Sequence, residues 1–206
     1  MHPVAAKAPM KQIDRSPTQP TLWHDGWYHH ARRVESPNFG LRPVQTVVDL
    51  IVLHSISLPP GEYGGDAVQR FFCNQLDPDE HPYFKSIAGL HVSSHFYIRR
   101  HGELLQFVSA QDRAWHAGVS SYRGRSNCND NSIGIELEGT DSAAFEDSQY
   151  ETLIALCAAI CQRYAITAIA GHEHIAPDRK SDPGTGFDWL ALRQGTALAA
   201  TFFPEK

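Results

Sequence analysis

The chain has 206 residues, 42% of them hydrophobic and 20% charged, enough for one domain with a substantial core. A formal net charge of -5 argues against nucleic acid as the main partner, which would call for a basic face. No apolar stretch approaches about 18 residues, so nothing reads as a membrane span, and the N-terminus lacks the continuous apolar region of a secretory signal.

Residues 1–22 carry prolines and mixed charges without a period, which predicts a flexible tail ahead of a single domain over 23–206. Trp23 to Pro43 is aromatic and basic and suggests no regular structure. Thr46 to His54, T-V-V-D-L-I-V-L-H, is almost continuously apolar and β-branched, as a central strand buried on both faces would be. A short helix is expected over Asp66–Asn74 with Asp66 as its N-cap, followed by a loop over Asp77–Tyr83. His95–Arg100 and Glu103–Val108 flank His101-Gly102 as a two-residue hairpin. After a long Ser/Gly/Asn-rich loop from Trp115 to Asn131, Ser132–Leu137 alternates. That puts Ile133, Ile135 and Leu137 on one face, and Ser132, Gly134 and Glu136 on the other. Gln149–Tyr164 has the clearest helical stripe, with a Ser148/Glu151 capping box. Ile166–Ala170 reads as a strand, and Phe187–Ala199 as a last helix. Strands interleaved with helices and a hairpin imply an α/β (α+β) domain, a mixed central sheet covered by helices.

The four cysteines, Cys73, Cys128, Cys157 and Cys161, have no zinc-knuckle or CxxC spacing, and a reduced, cytoplasmic setting is the default. Functional groups gather instead where strands open into loops: His54, Glu136 and His172, with Asp182 ten residues past His172. Two imidazoles and a carboxylate suit a catalytic zinc with an open fourth position. On that pattern His174 competes with His172. Water at such a site needs a base, for which Glu136 is the available carboxylate, and Lys180 offers charge to a developing oxyanion. Each residue also has a plainer reading: a structural histidine, the solvated side of an edge strand, a surface lysine, core aromatics at Trp115 and Tyr83.

Four segments together resemble the AmpD-type amidases. They are Leu53–Gly65 (L-H-S-I-S-L-P-P-G-E-Y-G-G), Ala114–Tyr122 (A-W-H-A-G-V-S-S-Y), Ser132–Thr140 (S-I-G-I-E-L-E-G-T) and Gly171–Gly184 (G-H-E-H-I-A-P-D-R-K-S-D-P-G). The resemblance spans roughly residues 23–192. It implies a zinc N-acetylmuramoyl-L-alanine amidase of cytoplasmic cell-wall recycling. Such an enzyme cuts the amide between 1,6-anhydro-N-acetylmuramic acid and L-Ala of the stem peptide, and so influences β-lactamase induction. Also implied are one Zn2+ per chain on His54, His172 and Asp182 in a cleft at the strand ends, catalysis by Glu136 and Lys180, and substrate contacts from Tyr83, Trp115 and His116. An anhydromuropeptide is the expected partner, with no nucleic acid, membrane or obligate protein partner. His91 and Asn127 stand where the family has arginines near the peptide carboxylates. A non-catalytic peptidoglycan-binding module is the alternative from another class, but it would be marked by loss of a ligand. An amidase acting on intact peptidoglycan would call for export.

Overall fold

The computed structural model describes residues 22–204, so the tail expected over 1–22 lies outside the described residues apart from Leu22. Four two-residue strands stand where no regular structure was expected: β1 (Trp23–His24), β2 (Trp27–Tyr28), β3 (Arg32–Arg33) and β4 (Phe39–Gly40). Next come β5 (Leu50–Ile56), α1 (Ala67–Phe72), α2 (Pro82–Ser86), β6 (Phe96–Ile98) and β7 (Leu104–Gln106). Three short strands, β8 (Arg113–Ala114), β9 (Ser121–Tyr122) and β10 (Arg125–Ser126), lead into β11 (Ser132–Glu138). Then follow α3 (Asp147–Arg163), β12 (Ala168–Gly171), α4 (His172–Ile175), α5 (Trp189–Thr196) and a 3-10 turn at Ala200–Phe202.

A six-stranded mixed sheet runs in the order β12-β5-β11-β6-β7-β3. β5 and β11 pair in parallel at its centre, in a register that sets Glu136 beside His54. Because side chains alternate, Ile51 and Leu53 of β5 and Ile133, Ile135 and Leu137 of β11 share one face. There they pack with Leu153, Leu156, Cys157 and Ile160 of α3 and Leu192 of α5. Each such aliphatic side chain taken fully out of water contributes roughly 1.5–3 kcal/mol, so this layer dominates the core.

The opposite face is divided. Ala67, Val68 and Phe72 of α1 and Phe84 of α2 cover Tyr97 and Leu105, while Leu50, Val52, Ala168 and Ala170 pack with Ala117, Cys128 and Ile175. Between these two covers the sheet is left open to a cleft, and His54 and Glu136 lie on that side.

Several local expectations change. Asp66 precedes α1, but its side chain pairs with Arg70 at 3.0 Å rather than capping the helix. The segment expected as loop through Tyr83 gives way to α2 at Pro82, whose missing N–H costs nothing at a first helical position; the His81 ring accepts from the Tyr83 amide. The β6–β7 connection spans Arg99–Glu103, longer than two residues, because the ladder ends at Ile98 and Leu104. At the start of α3, Glu146 and Gln149 form the capping box, and Ser148 donates to the Arg100 carbonyl instead (2.7 Å). Glu136 and Glu138 are not the solvated side of an edge strand. β11 is central and buried along its length, with Glu138 accepting from the Gly64 and Arg100 amides.

Candidate metal centre and cleft

His54 sits near the end of β5, where the strand enters the Ser57–Gly61 turn. Its side chain is 2% exposed. Across β12, the chain leaves Gly171 directly into α4, so His172 opens a helix rather than a loop. Asp182 returns to the same point because its carbonyl accepts from the Glu173 amide at 2.8 Å, which locks the 171–184 segment into a closed turn. Three atoms then meet: His54 Nδ1 and His172 Nδ1 are 3.0 Å apart, and each lies 3.1 Å from Asp182 Oδ2.

Ordinary hydrogen bonds do not account for every edge of this triangle. His172 Nε2 faces the Ala117 carbonyl at 3.1 Å, and a carbonyl only accepts, so that nitrogen carries a proton. With its proton there, the ring turns Nδ1 toward a carboxylate oxygen, the side from which it can offer a lone pair to a metal. Burial, with the neighbouring His172 adding to it, lowers the His54 pKa to about 4, so the His54 ring is neutral near pH 7. Lone pairs brought this close repel unless a cation or a shared proton lies among them, and the three atoms are of the types that bind zinc. Edges of 3.0–3.1 Å are close to the ~3.3 Å expected between ligands of a tetrahedral ion with bonds of about 2.0 Å. The residues fit a metal. His174 is not part of the group: its Nδ1 accepts from the Gly171 amide at 3.0 Å, and its ring packs edge-on to Trp189.

A cleft of about 560 Å³ opens over this group. One wall is largely apolar, from Phe71, Tyr83, Ile87, Leu90, Val92 and Trp115; the other carries Asp141, Arg179, Lys180 and Ser181. Glu136 enters from the floor, 7% exposed, with Oε2 buried and without a hydrogen-bond partner. Burial pushes its carboxyl well above the ordinary glutamate range, Asp182 adds to the rise, and Lys180 opposes it. Lys180 is exposed at the rim, held by its backbone N–H to the Ala176 carbonyl (2.9 Å). His116 also lines the cleft, but both ring nitrogens are engaged, by His54 Nε2 at 2.9 Å and Ser132 Oγ at 3.1 Å. His91 is exposed and borders a separate, smaller cavity, while Asn127 takes a left-handed turn (φ 60°) that asparagine tolerates well.

The structure adds residues that the sequence did not single out. Arg179 donates to the Ala117 and Val119 carbonyls, both at 2.8 Å. Asn129 Oδ1 accepts from the His116 and Ala117 amides at 3.1 and 2.8 Å. His95, fully buried, accepts the Gly134 amide at 3.0 Å. Of these, Arg179 lies within and Asn129 beside segments already conspicuous; His95 gives no local signal.

Residues 44–185 match the family model described as N-acetylmuramoyl-L-alanine amidase. The chain is 53% identical over 174 residues to the 1,6-anhydro-N-acetylmuramyl-L-alanine amidase AmpD of Citrobacter freundii, covering 84% of this chain and 93% of that one. A crystal structure of a selenomethionine AmpD derivative superposes with a TM-score of 0.82 at 53% identity, covering 84% of this chain and 97% of the other. The N-acetylmuramyl-L-alanine amidase AmiD from E. coli was solved with the substrate anhydro-N-acetylmuramic acid-L-Ala-D-gamma-Glu-L-Lys. It aligns at a TM-score of 0.54 and 30% identity, over 75% of this chain and 60% of that one.

Proposed function

The chain belongs to the N-acetylmuramoyl-L-alanine amidase family, and from that premise we propose how its cleft works and on what. It is an amidase that hydrolyses the bond between 1,6-anhydro-N-acetylmuramic acid and the L-Ala of the stem peptide. His54, His172 and Asp182 hold one zinc ion, and residues 23–206 form the amidase domain. The assignment of the centre rests on three ligand-type atoms that converge to 3.0–3.1 Å of one another while an unpartnered Glu136 oxygen enters the same cleft.

Zinc bound there supplies Lewis-acid charge that lowers the pKa of water and polarises an amide carbonyl. Glu136 takes the proton from the attacking water as its oxygen bonds to the lactyl carbonyl carbon. The raised pKa suits this task, because a carboxylate reluctant to stay charged is a stronger base. The same carboxyl then hands the proton to the alanine nitrogen as the C–N bond breaks, releasing the muramic carboxylate and the free peptide amine. Lys180, at the rim, offsets the negative charge that builds on the carbonyl oxygen. Tyr83, Trp115 and His116 line the walls against which sugar and peptide lie. If the family's two arginines bind the stem-peptide carboxylates, histidine and asparagine at 91 and 127 make that recognition looser or differently arranged here.

We place the reaction in the cytoplasm, in muropeptide recycling upstream of β-lactamase induction; no described helix is long and apolar enough to cross a membrane. Zinc-loaded protein should release tripeptide from anhydromuramyl-tripeptide, and a chelator should stop it. Equal cleavage of intact peptidoglycan would make the protein a general wall amidase. Failure on both substrates would sink the catalytic reading.

A further inference from the structure

Both imidazoles of the proposed zinc site are held from behind by one stretch of chain. His54 Nε2 meets the His116 ring, and His172 Nε2 meets the carbonyl of the next residue, Ala117. Asn129 pins both backbone amides of that stretch, and Arg179 shares the Ala117 carbonyl.

Proton positions along the first of these contacts follow from one requirement. For His54 to offer a lone pair at Nδ1, its proton must be on Nε2 and must be donated to His116 Nδ1. His116 then carries its own proton on Nε2 and donates it to Ser132 Oγ, 3.1 Å away on the buried face of β11. The reverse order would place a proton on His54 Nδ1, inside the cluster, and block it. Gly134 makes the arrangement sterically possible: a Cβ there would lie 2.6 Å from His116 Cγ, closer than real contacts allow. β11 thus presents a hydroxyl, a gap and a carboxylate in succession at Ser132, Gly134 and Glu136. The first two serve His116.

We propose that His116 is a positioning residue that fixes the tautomer and ring orientation of His54, with Ser132 as the terminal acceptor. This rests on the reading of His54 as a zinc ligand. It gives His116 a role distinct from touching substrate, since both its nitrogens are occupied before any substrate arrives.

The test is zinc affinity, measured by competition with a chromophoric chelator on the full chain. Metal-free thermal unfolding and the visible spectrum of the cobalt form are read in parallel. His116→Ala should weaken zinc binding by roughly 10–100-fold and alter the cobalt spectrum. His116→Asn, whose Oδ1 stands where Nδ1 was, should recover a large part of the affinity; Ser132→Ala should lose several-fold with the cleft walls untouched. A His116→Ala variant that binds zinc within twofold of the parent overturns the proposal. So does an asparagine variant no better than alanine, or a zinc loss matched entirely by loss of the metal-free fold. A parent that takes up no zinc overturns the metal site and this inference with it, whereas a zinc-replete parent beside an unaffected His116→Ala overturns this inference alone.

Discussion

Replacing Glu136 with glutamine keeps the shape of the side chain and removes its capacity to take a proton. As general base the carboxylate contributes about 10²–10⁴-fold, or roughly 3–5 kcal/mol of barrier. Here it acts twice, on the water and on the leaving nitrogen, so the loss should fall toward the upper end. Stability should move the other way. The carboxyl is 7% exposed with an unpartnered oxygen, and burial raises its pKa in the folded state. A carboxyl with a raised folded pKa favours the folded state below its unfolded value. It then costs stability as pH climbs from that value toward the folded one, and the full cost is present above both. Without metal and near neutral pH, Glu136→Gln, which carries no charge in either state, should therefore melt above the parent. Steady-state hydrolysis with metal analysis, beside calorimetry in chelator, reads both effects. A glutamine variant retaining more than about a tenth of turnover, or melting below the parent without metal, would refute the reasoning.

Asp182→Ala removes a ligand outright and should reduce zinc affinity by more than the roughly 10–100-fold of an outer partner; undiminished zinc by metal analysis would take Asp182 out of the set. Lys180→Met should lower turnover by about 10²–10³-fold, as expected for one oxyanion donor. Because Lys180 pulls the Glu136 pKa down, its removal should also shift the acidic limb of the rate profile to higher pH, and a shift to lower pH would contradict the pairing. Leu53→Ala, at a position with no exposure beside His54, should cost about 2–5 kcal/mol, visible in thermal unfolding as a Tm lower by roughly 4–20 °C.

The elements whose residues bury whole faces were legible in the chain. The apolar run ending at His54 forms the central strand β5, and the stripe from Leu153 to Cys161 forms α3, because burial of those side chains dominates their placement. Ends of elements were less legible, since there a single long-range bond decides. The start of α3 contains both an S-x-x-E and an E-x-x-Q pattern. The second caps the helix because Ser148 is drawn off to Arg100, 48 residues earlier in the chain. Pro82 was a readable first-turn signal that starts α2 inside a stretch otherwise rich in turn residues. Partners across the fold carry no local mark at all. Nothing in the order of residues says that Ser132 faces His116, or that Asn129 holds the strap behind both histidines.

The site and the core are tied together by the β5–β11 register. With Glu136 opposite His54, the isoleucines at 133 and 135 lie under α3 and the polar residues between them face the cleft. Slipping the pairing by one residue would carry Glu136 into the aliphatic layer and swing Ile135 over the proposed metal site. The burial of an uncompensated carboxylate and the loss of several aliphatic contacts would both oppose that slip. Hydrophobic alternation in β11 thus does the work of aiming the base: the packing energy of the isoleucines on one face holds the carboxylate on the other where it is needed.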